Sequence, residues 1–447
     1  MKQLIFIAVA VILTACINDD ISTSPSHMPE FSADTVALGE VWADELSPNV
    51  ALTIYNRNPK GITISSLSVS GRDADCLKMN LDGMPAELFA PVDIRQNDSV
   101  QLLVAAVPKI AGAIDAVVNI TVNSKVLSLP VKAEVLQPVI LKNHTVAAQE
   151  SLAGKVRVFG TLTVPQGAEL SLEPGTTLFM HDKAEIVVDG TLIAQGTPQL
   201  PITICGDRFG FMAADIPYSI LPGQWRGITI NSAQGCEMTC VSLLNSEAAL
   251  TLSSDAQLTM TNCCIANSRE TLVSLGEGAR LAAYQCQFTE AAQAVLALNS
   301  ADAYLYRCTL ANAYLFSTPF SSLIELSGTS DLTVEASIIY RPGGELSAAT
   351  GSAYKFSHTL FGSNGSDDEQ FVNCLWAENP LFNLDLEEYH FDYTLSPESP
   401  ARKHSAPAAP LNLTHDRLGT PAPPPAPRGA GAGGPGRCTA ILVGWGC

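Results

Sequence analysis

Charge is scarce in this sequence, and positive charge is scarcer. Asp, Glu, Lys and Arg make up 15% of 447 residues, and 25 basic residues face 44 acidic ones for a net charge of −19. That balance excludes a basic surface for gripping nucleic acid or anionic membrane, and it suits a general grip on polyanionic polysaccharide poorly. Histidine is also sparse. The seven His residues (27, 144, 181, 358, 390, 404, 415) are scattered and never stand at ligand spacing, so neither a metal site nor a cofactor is expected. No apolar run is long enough to span a bilayer; the one at the start, Leu4 to Leu13, is too short.

What is abundant is apolar surface. At 47% apolar, the chain can bury a large core and has the length for two or three domains. Met1-Lys2 followed by Leu4–Leu13 has the form of an export signal. It ends in Leu13-Thr14-Ala15-Cys16, which resembles the lipobox of bacterial lipoproteins. Residues 1–15 are therefore expected to be removed and Cys16 to carry lipid, making the membrane a partner through that anchor. Asp19-Asp20, close behind, resembles an export tag of surface-displayed outer-membrane lipoproteins. The expected location is the outer membrane. Residues 16–30 serve as a tether.

From 31 to 137 short apolar runs alternate with turns such as Asn56-Arg57-Asn58-Pro59 and Asn80-Leu81-Asp82-Gly83. Seven or so short strands in this span predict an immunoglobulin-like β-sandwich. Cys76 is its only cysteine and it has no histidine, so a spacer or docking role is expected.

The rest is organised by a repeat. Ile228/Ile230 recur as Leu250/Leu252, Val273/Leu275, Leu296/Leu298 and Ile324/Leu326, at steps of 22, 23, 23 and 28 residues. A second row runs Cys236/Met238, Leu258/Met260, Leu281/Ala283, Ala303/Leu305, Leu332/Val334. A third runs Val241/Leu243, Cys263/Ile265, Cys286/Phe288, Cys308/Leu310, Ser337/Ile339. Residues two apart share one face of a strand, and three strands per turn of about 22 residues describe a parallel β-helix. The long step reflects an insertion around 311–322. Earlier pairs extend the helix towards Lys142: Leu162/Val164 with Ile186/Val188, Leu170/Leu172 with Leu192/Ala194, and Phe179 with Ile202/Ile204. The expected fold is all-β, with about eight coils over 138–415, or about 40 Å at ~4.8 Å per rung. Residues 205–224 interrupt the period, and a loop of that length is often functional.

Gly206-Asp207-Arg208, Asp215-Ile216-Pro217, Pro222-Gly223-Gln224-Trp225 and Gly227-Ile228 resemble a family of uncharacterised bacterial lipoproteins. So do Ser337-Ile338-Ile339-Tyr340, Asn379-Pro380-Leu381-Phe382 and Leu395-Ser396-Pro397. The resemblance implies an Ig-like sandwich, a right-handed parallel β-helix of pectin-lyase-like fold, and export; it implies no activity. The end departs from that pattern: Pro421 to Cys447 is Pro/Ala/Gly-rich without strand alternation, from a natural linker or a shifted reading frame. A disordered tail is expected over 416–447.

For chemistry, Cys263, Cys286 and Cys308 at one position of successive coils predict a buried ladder of reduced thiols; parallel stacking suits disulfides poorly. The outward positions of the repeat are Thr229, Thr251, Ser274, Ala297 and Glu325; Glu237, Thr259, Ala282, Tyr304 and Thr333; and Ser242, Cys264, Gln287, Thr309 and Ile338. Two acids four coils apart cannot form the carboxylate pair of a glycosidase, which needs about 5–10 Å. No catalytic residue emerges from these rows, so a non-catalytic role in binding or display is expected, with a glycan or an envelope protein as partner. Tyr284-Gln285 and Tyr306-Arg307, one coil apart, are the candidate glycan platform. The alternative is a polysaccharide lyase or glycoside hydrolase with its site near the 205–226 loop, built from Asp207, Arg208, Asp215 and Arg226.

Overall fold

The computed structural model describes residues 20–213, 216–313, 322–404, 411 and 413–421. Cys16, Asp215 and most of the expected tail lie outside these. The chain divides into two units, Met1–Gln137 and Pro138–Cys447.

In the first unit, two sheets share one apolar core. One orders Glu30–Phe31, Val50–Tyr55, Ser99–Ala106, Leu77–Leu81 and Met84–Pro85, all antiparallel. The other orders Val36–Trp42, Lys125–Leu136, Ala116–Val122, Ile62–Ser70 and Val92–Ile94, with Val36–Trp42 parallel to its neighbour. Strict alternation produces this core: Ala116, Val118, Ile120 and Val122 are buried while the residues between them are half-buried. Asn56 shows why its turn is polar. Its buried amide donates to the carbonyls of Lys60 and Ile94 at 2.9 Å and Arg95 at 3.0 Å, supplying partners that the irregular backbone lacks.

The second unit is a stack of parallel coils with three strands per coil. The first and third rows of strands join in a 17-stranded sheet, and the second row forms a ten-stranded one. The repeat predicts the register of all three rows: Ile228 pairs with Leu250, Cys236 with Leu258, Leu243 with Ile265. The second row runs from Gln149–Leu152 to Phe371–Val372, ten rungs where about eight coils are expected. The outermost rungs escape sequence reading because strands that short carry little alternation. The pairing expected for Phe179 is off by one residue. Leu178 opposes Ile204, and Phe179 opposes Cys205. In the run Leu178-Phe179-Met180 every residue is apolar, so periodicity cannot choose the inward one.

The thiol ladder is a corner device. Five successive coils end their second strand with a residue at positive φ (Asn262 56°, Gln285 54°, Arg307 54°, Ala336 51°, His358 51°). The next residue is Cys263, Cys286, Cys308, Ser337 or Thr359. Each turns its thiol or hydroxyl back to the carbonyl two residues earlier, Thr261 (3.3 Å), Tyr284 (3.3 Å), Tyr306 (3.6 Å), Glu335 (2.8 Å) and Ser357 (3.0 Å). Rungs also link: the Cys263 N–H donates to Cys286 Sγ at 3.4 Å, and the Cys308 N–H to Ser337 Oγ at 2.9 Å. All three thiols are buried and unbridged.

The outer face of the third row departs from expectation. Cys264, Gln287, Thr309 and Ile338 are buried, not solvent-facing. The chain returns over them: Phe391 and Tyr393 pack on Ala311, and Leu395 and Ala401 on Ile338 and Leu360. Each large apolar side chain so buried contributes roughly 1.5–3 kcal/mol. Residues 416–421, expected in the tail, are held too. Asn262 donates to the His415 carbonyl at 3.1 Å, Arg417 reaches Ser242 Oγ at 3.4 Å, and the Asp416 carboxylate accepts from the Leu418 and Thr420 N–H groups.

Candidate functional site

On the third row of the first coils, outward side chains from four successive rungs line up. Lys142 opposes Phe159 in the ladder. Val158 opposes Met180, and Met180 opposes Gly206, which brings the next residues, Phe159, His181 and Asp207, into one file. The Phe159 and His181 rings lie 4.4 Å apart, and the Lys142 ammonium sits 5.5 Å from the Phe159 centroid. Two residues earlier on the same strand, Arg157 lies 4.9 Å from the same ring.

Asp207 Oδ2 is the hub. It accepts from Arg157 Nε at 2.8 Å and pairs with His181 Nδ1 at 2.7 Å. Arg157 and Asp207 are buried, whereas the His181 side chain is 41% exposed. An ionised carboxylate offers only acceptors, so Nδ1 is the protonated nitrogen and Nε2 is the acceptor of the neutral ring. A half-exposed imidazole whose tautomer is set by a buried carboxylate is the arrangement used for general acid–base work.

Tight packing places Asp207 here. At Gly206 any Cβ would collide with the Gln224 side chain, whose amide ties the loop by donating to the Tyr218 (2.6 Å) and Leu221 (2.9 Å) carbonyls. Trp225, fully buried, closes the loop with Nε1 donating to the Leu244 carbonyl at 2.8 Å. Gly227, at φ 124°, faces the Ala248 carbonyl where a side chain could not fit.

Of the loop candidates, only Asp207 joins this cluster. Arg208 lies over the Tyr218 ring at 5.7 Å, and Arg226 pairs with Glu185 at 3.3 Å. Asp215 is outside the described residues. The two-tyrosine platform does not form. Tyr306 is fully buried beneath Arg307, whose guanidinium is 5.3 Å from its ring, and Gln285 is buried at the left-handed corner. Tyr284 instead meets Tyr304 at 5.9 Å, tilted by 54°. Glu335 accepts the Tyr304 hydroxyl, and half-burial with that carboxylate raises the phenol above its ordinary range. Lys142, Phe159, Arg157 and His181 escape the sequence reading because the one-residue slip at Phe179 turns His181 inward. With Leu178 as the inward residue, the file follows.

Among the described residues no three His, Cys, Asp or Glu side chains converge as a metal site would require.

The right-handed β-helix family model matches residues 219–374. That stretch is a right-handed β-helix. No curated protein matches the chain. Three solved structures are among those to which the chain is similar. A protein of unknown function from Porphyromonas gingivalis W83 is 18% identical, covering 27% of this chain and half of its own, at a TM-score of 0.20. The catalytic unit of the thermostable GH87 alpha-1,3-glucanase of Streptomyces thermodiastaticus strain HF3-3 is 9% identical, covering 73% of this chain and 89% of its own, at 0.23. Dex49A from Penicillium minioluteum is 8% identical, covering 76% and 77%, at 0.22. Likenesses at these scores carry no argument about activity.

Proposed function

We propose that the β-helix is a polysaccharide lyase whose site is the file Lys142–Phe159–His181–Asp207 beside the 205–226 loop. The observation that carries this reading is the half-exposed His181 held by the buried Asp207–Arg157 pair. It favours the enzyme alternative over display, because an imidazole held by a buried carboxylate stands on an outward row, whereas the repeat from Trp225 onward has only the separated acids Glu237 and Glu325 among its outward positions.

Lyase chemistry fits better than hydrolysis. Hydrolysis of a glycosidic bond needs two free carboxyl groups about 5–10 Å apart, and Asp207 is already engaged by Arg157 and His181. Elimination needs one base and a positive charge near the uronate carboxylate. His181 Nε2 takes the proton α to that carboxylate. The electron pair of the broken C–H bond becomes the new C=C bond as the β C–O bond breaks, and the leaving oxygen takes the abstracted proton from the His181 imidazolium. Nδ1–H to Asp207 stabilises the imidazolium formed in the first step. Lys142, on the same aromatic ring, supplies the charge, answering locally the acidic balance of the whole chain.

We further propose that Cys16 anchors the chain by lipid to the outer membrane, and that the N-terminal two-sheet unit is an Ig-like spacer. The lipobox-like Leu13–Cys16 and the strand pattern of 31–137 support these.

His181→Asn tests the reading, since its amide can still donate to Asp207 while the base is gone. Wild-type protein should release unsaturated products from polygalacturonate or alginate, and the variant should be slower by about 10²–10⁴-fold. Equal rates in the two proteins, or no product from wild type, would sink it. In the latter case the display reading stands.

A further inference from the structure

The hairpin Phe211–Ala213/Ile216–Pro217 leaves the coil four residues after Asp207 and presents Phe211 (62%) and Met212 (55%) to solvent. Folding gives no reason for two large apolar neighbours to stand in water, and such exposure marks a contact surface. They are held there by structure. The Tyr218 N–H donates to the Gly210 carbonyl at 2.9 Å, and Phe209 packs edge-on against Phe179 at 5.8 Å. The Arg208 guanidinium braces Tyr218 behind them. Four residues of extended chain reach at most about 14 Å, so Phe211 stands within reach of a polysaccharide chain that also lies over His181, whose ring touches Asp207.

We propose that Phe211 and Met212 form a sugar-binding platform that holds a polysaccharide chain across the His181 site. The apolar C–H face of a pyranose ring packs on an aromatic face, and a flexible thioether adapts to its neighbour. The occupant is a glycan and not a second protein because the pair rises from the same loop as Asp207, four and five residues along the chain from the acid–base file. This inference rests on the reading of that file as the site of polysaccharide chemistry.

The experiment uses the full-length protein, its Phe211→Ala/Met212→Ser double variant, and His181→Asn. Polygalacturonate, alginate and dextran serve as probes in affinity electrophoresis and in turnover assays. The expected result is retardation of wild type by at least one probe. The double variant should lose it, with KM raised roughly tenfold, equivalent to about 1.4 kcal/mol, and kcat unchanged. His181→Asn should keep the retardation and lose kcat. Both altered residues are exposed, so unchanged circular dichroism and thermal midpoint will confirm the double variant's fold. Retardation and KM unaltered in the double variant overturn the platform while leaving the acid–base reading. Retardation of wild type without turnover, lost in the double variant, keeps the platform and overturns the acid–base reading. No retardation by any probe overturns the platform. So does a wild-type dimer in sedimentation that the double variant abolishes, which would assign the pair to a second copy of the chain.

Discussion

The Tyr393 hydroxyl donates to the Glu290 carboxyl, joining residues 103 positions apart where the returning C-terminal segment crosses the third row. Both side chains are buried, and burial raises the Glu290 carboxyl to about 8 and the Tyr393 phenol well above its ordinary value. Tyr393 is the titratable group bonded to this carboxyl, and the Cys264 thiol acts on Tyr393 in turn. Because the folded value exceeds the unfolded one of 4.5, the native state holds a proton that the unfolded chain loses between these pH values. Stability should therefore fall as pH rises from about 4.5 to 8 and level off above it. Glu290→Gln keeps a neutral acceptor for Tyr393 and should flatten that slope. Thermal midpoints of both proteins across the window measure it, and parallel slopes would refute the assignment.

Arg157 and Asp207 form a buried ion pair, with side chains 6% and 5% exposed. Removing one partner leaves a buried charge, so Arg157→Met should destabilise the fold by about 3–5 kcal/mol. Adding Asp207→Asn to that variant removes the orphaned charge and should recover part of the loss. Urea unfolding of the three variants gives the coupling; a double variant weaker than Arg157→Met would count against the pair as described.

Cys263 and Cys286 are buried in the coil interior, and burial pushes both thiols well above their ordinary range. Thiolate is scarce and access is closed, so reagents should label these positions only after unfolding. Cys286→Ala leaves a small cavity and should cost on the order of 1 kcal/mol. Fast labelling of native protein, located by peptide mass, would contradict the inward ladder.

Cys16 lies outside the described residues, and its lipidation remains a proposal from Leu13-Thr14-Ala15-Cys16. Cys16→Ala should move the protein from the detergent phase to the aqueous phase in cloud-point partition, or leave the precursor uncut. Partition identical to wild type would remove the anchor from the account.

How far the sequence could be read depended on the local pattern. Ile228/Ile230 and their repeats are separated by polar residues, so inward and outward are unambiguous and the register follows. Leu178-Phe179-Met180 has no polar marker, and one residue of slip there conceals His181. Tyr284 and Tyr306 occupy equivalent positions in adjacent coils, yet one is half-exposed and the other fully buried. Strand periodicity tells which way a side chain points from its own sheet, and it carries no information about chain laid on top.

The sequence alone determined the coil stack, the inner rows from Trp225 onward and the stacking of one thiol per coil. Each is a relation between residues about one period apart, written in alternation and repeat length. Only the tertiary structure decided the meeting of Arg157, His181 and Asp207, and the cover placed over Glu290 by Tyr393. Those contacts join single residues 50 and 26 positions apart in the first case and 103 in the second. The first follows the strand register only once Leu178 is known to face inward, which an all-apolar run leaves open, and the second depends on where the returning segment comes to rest.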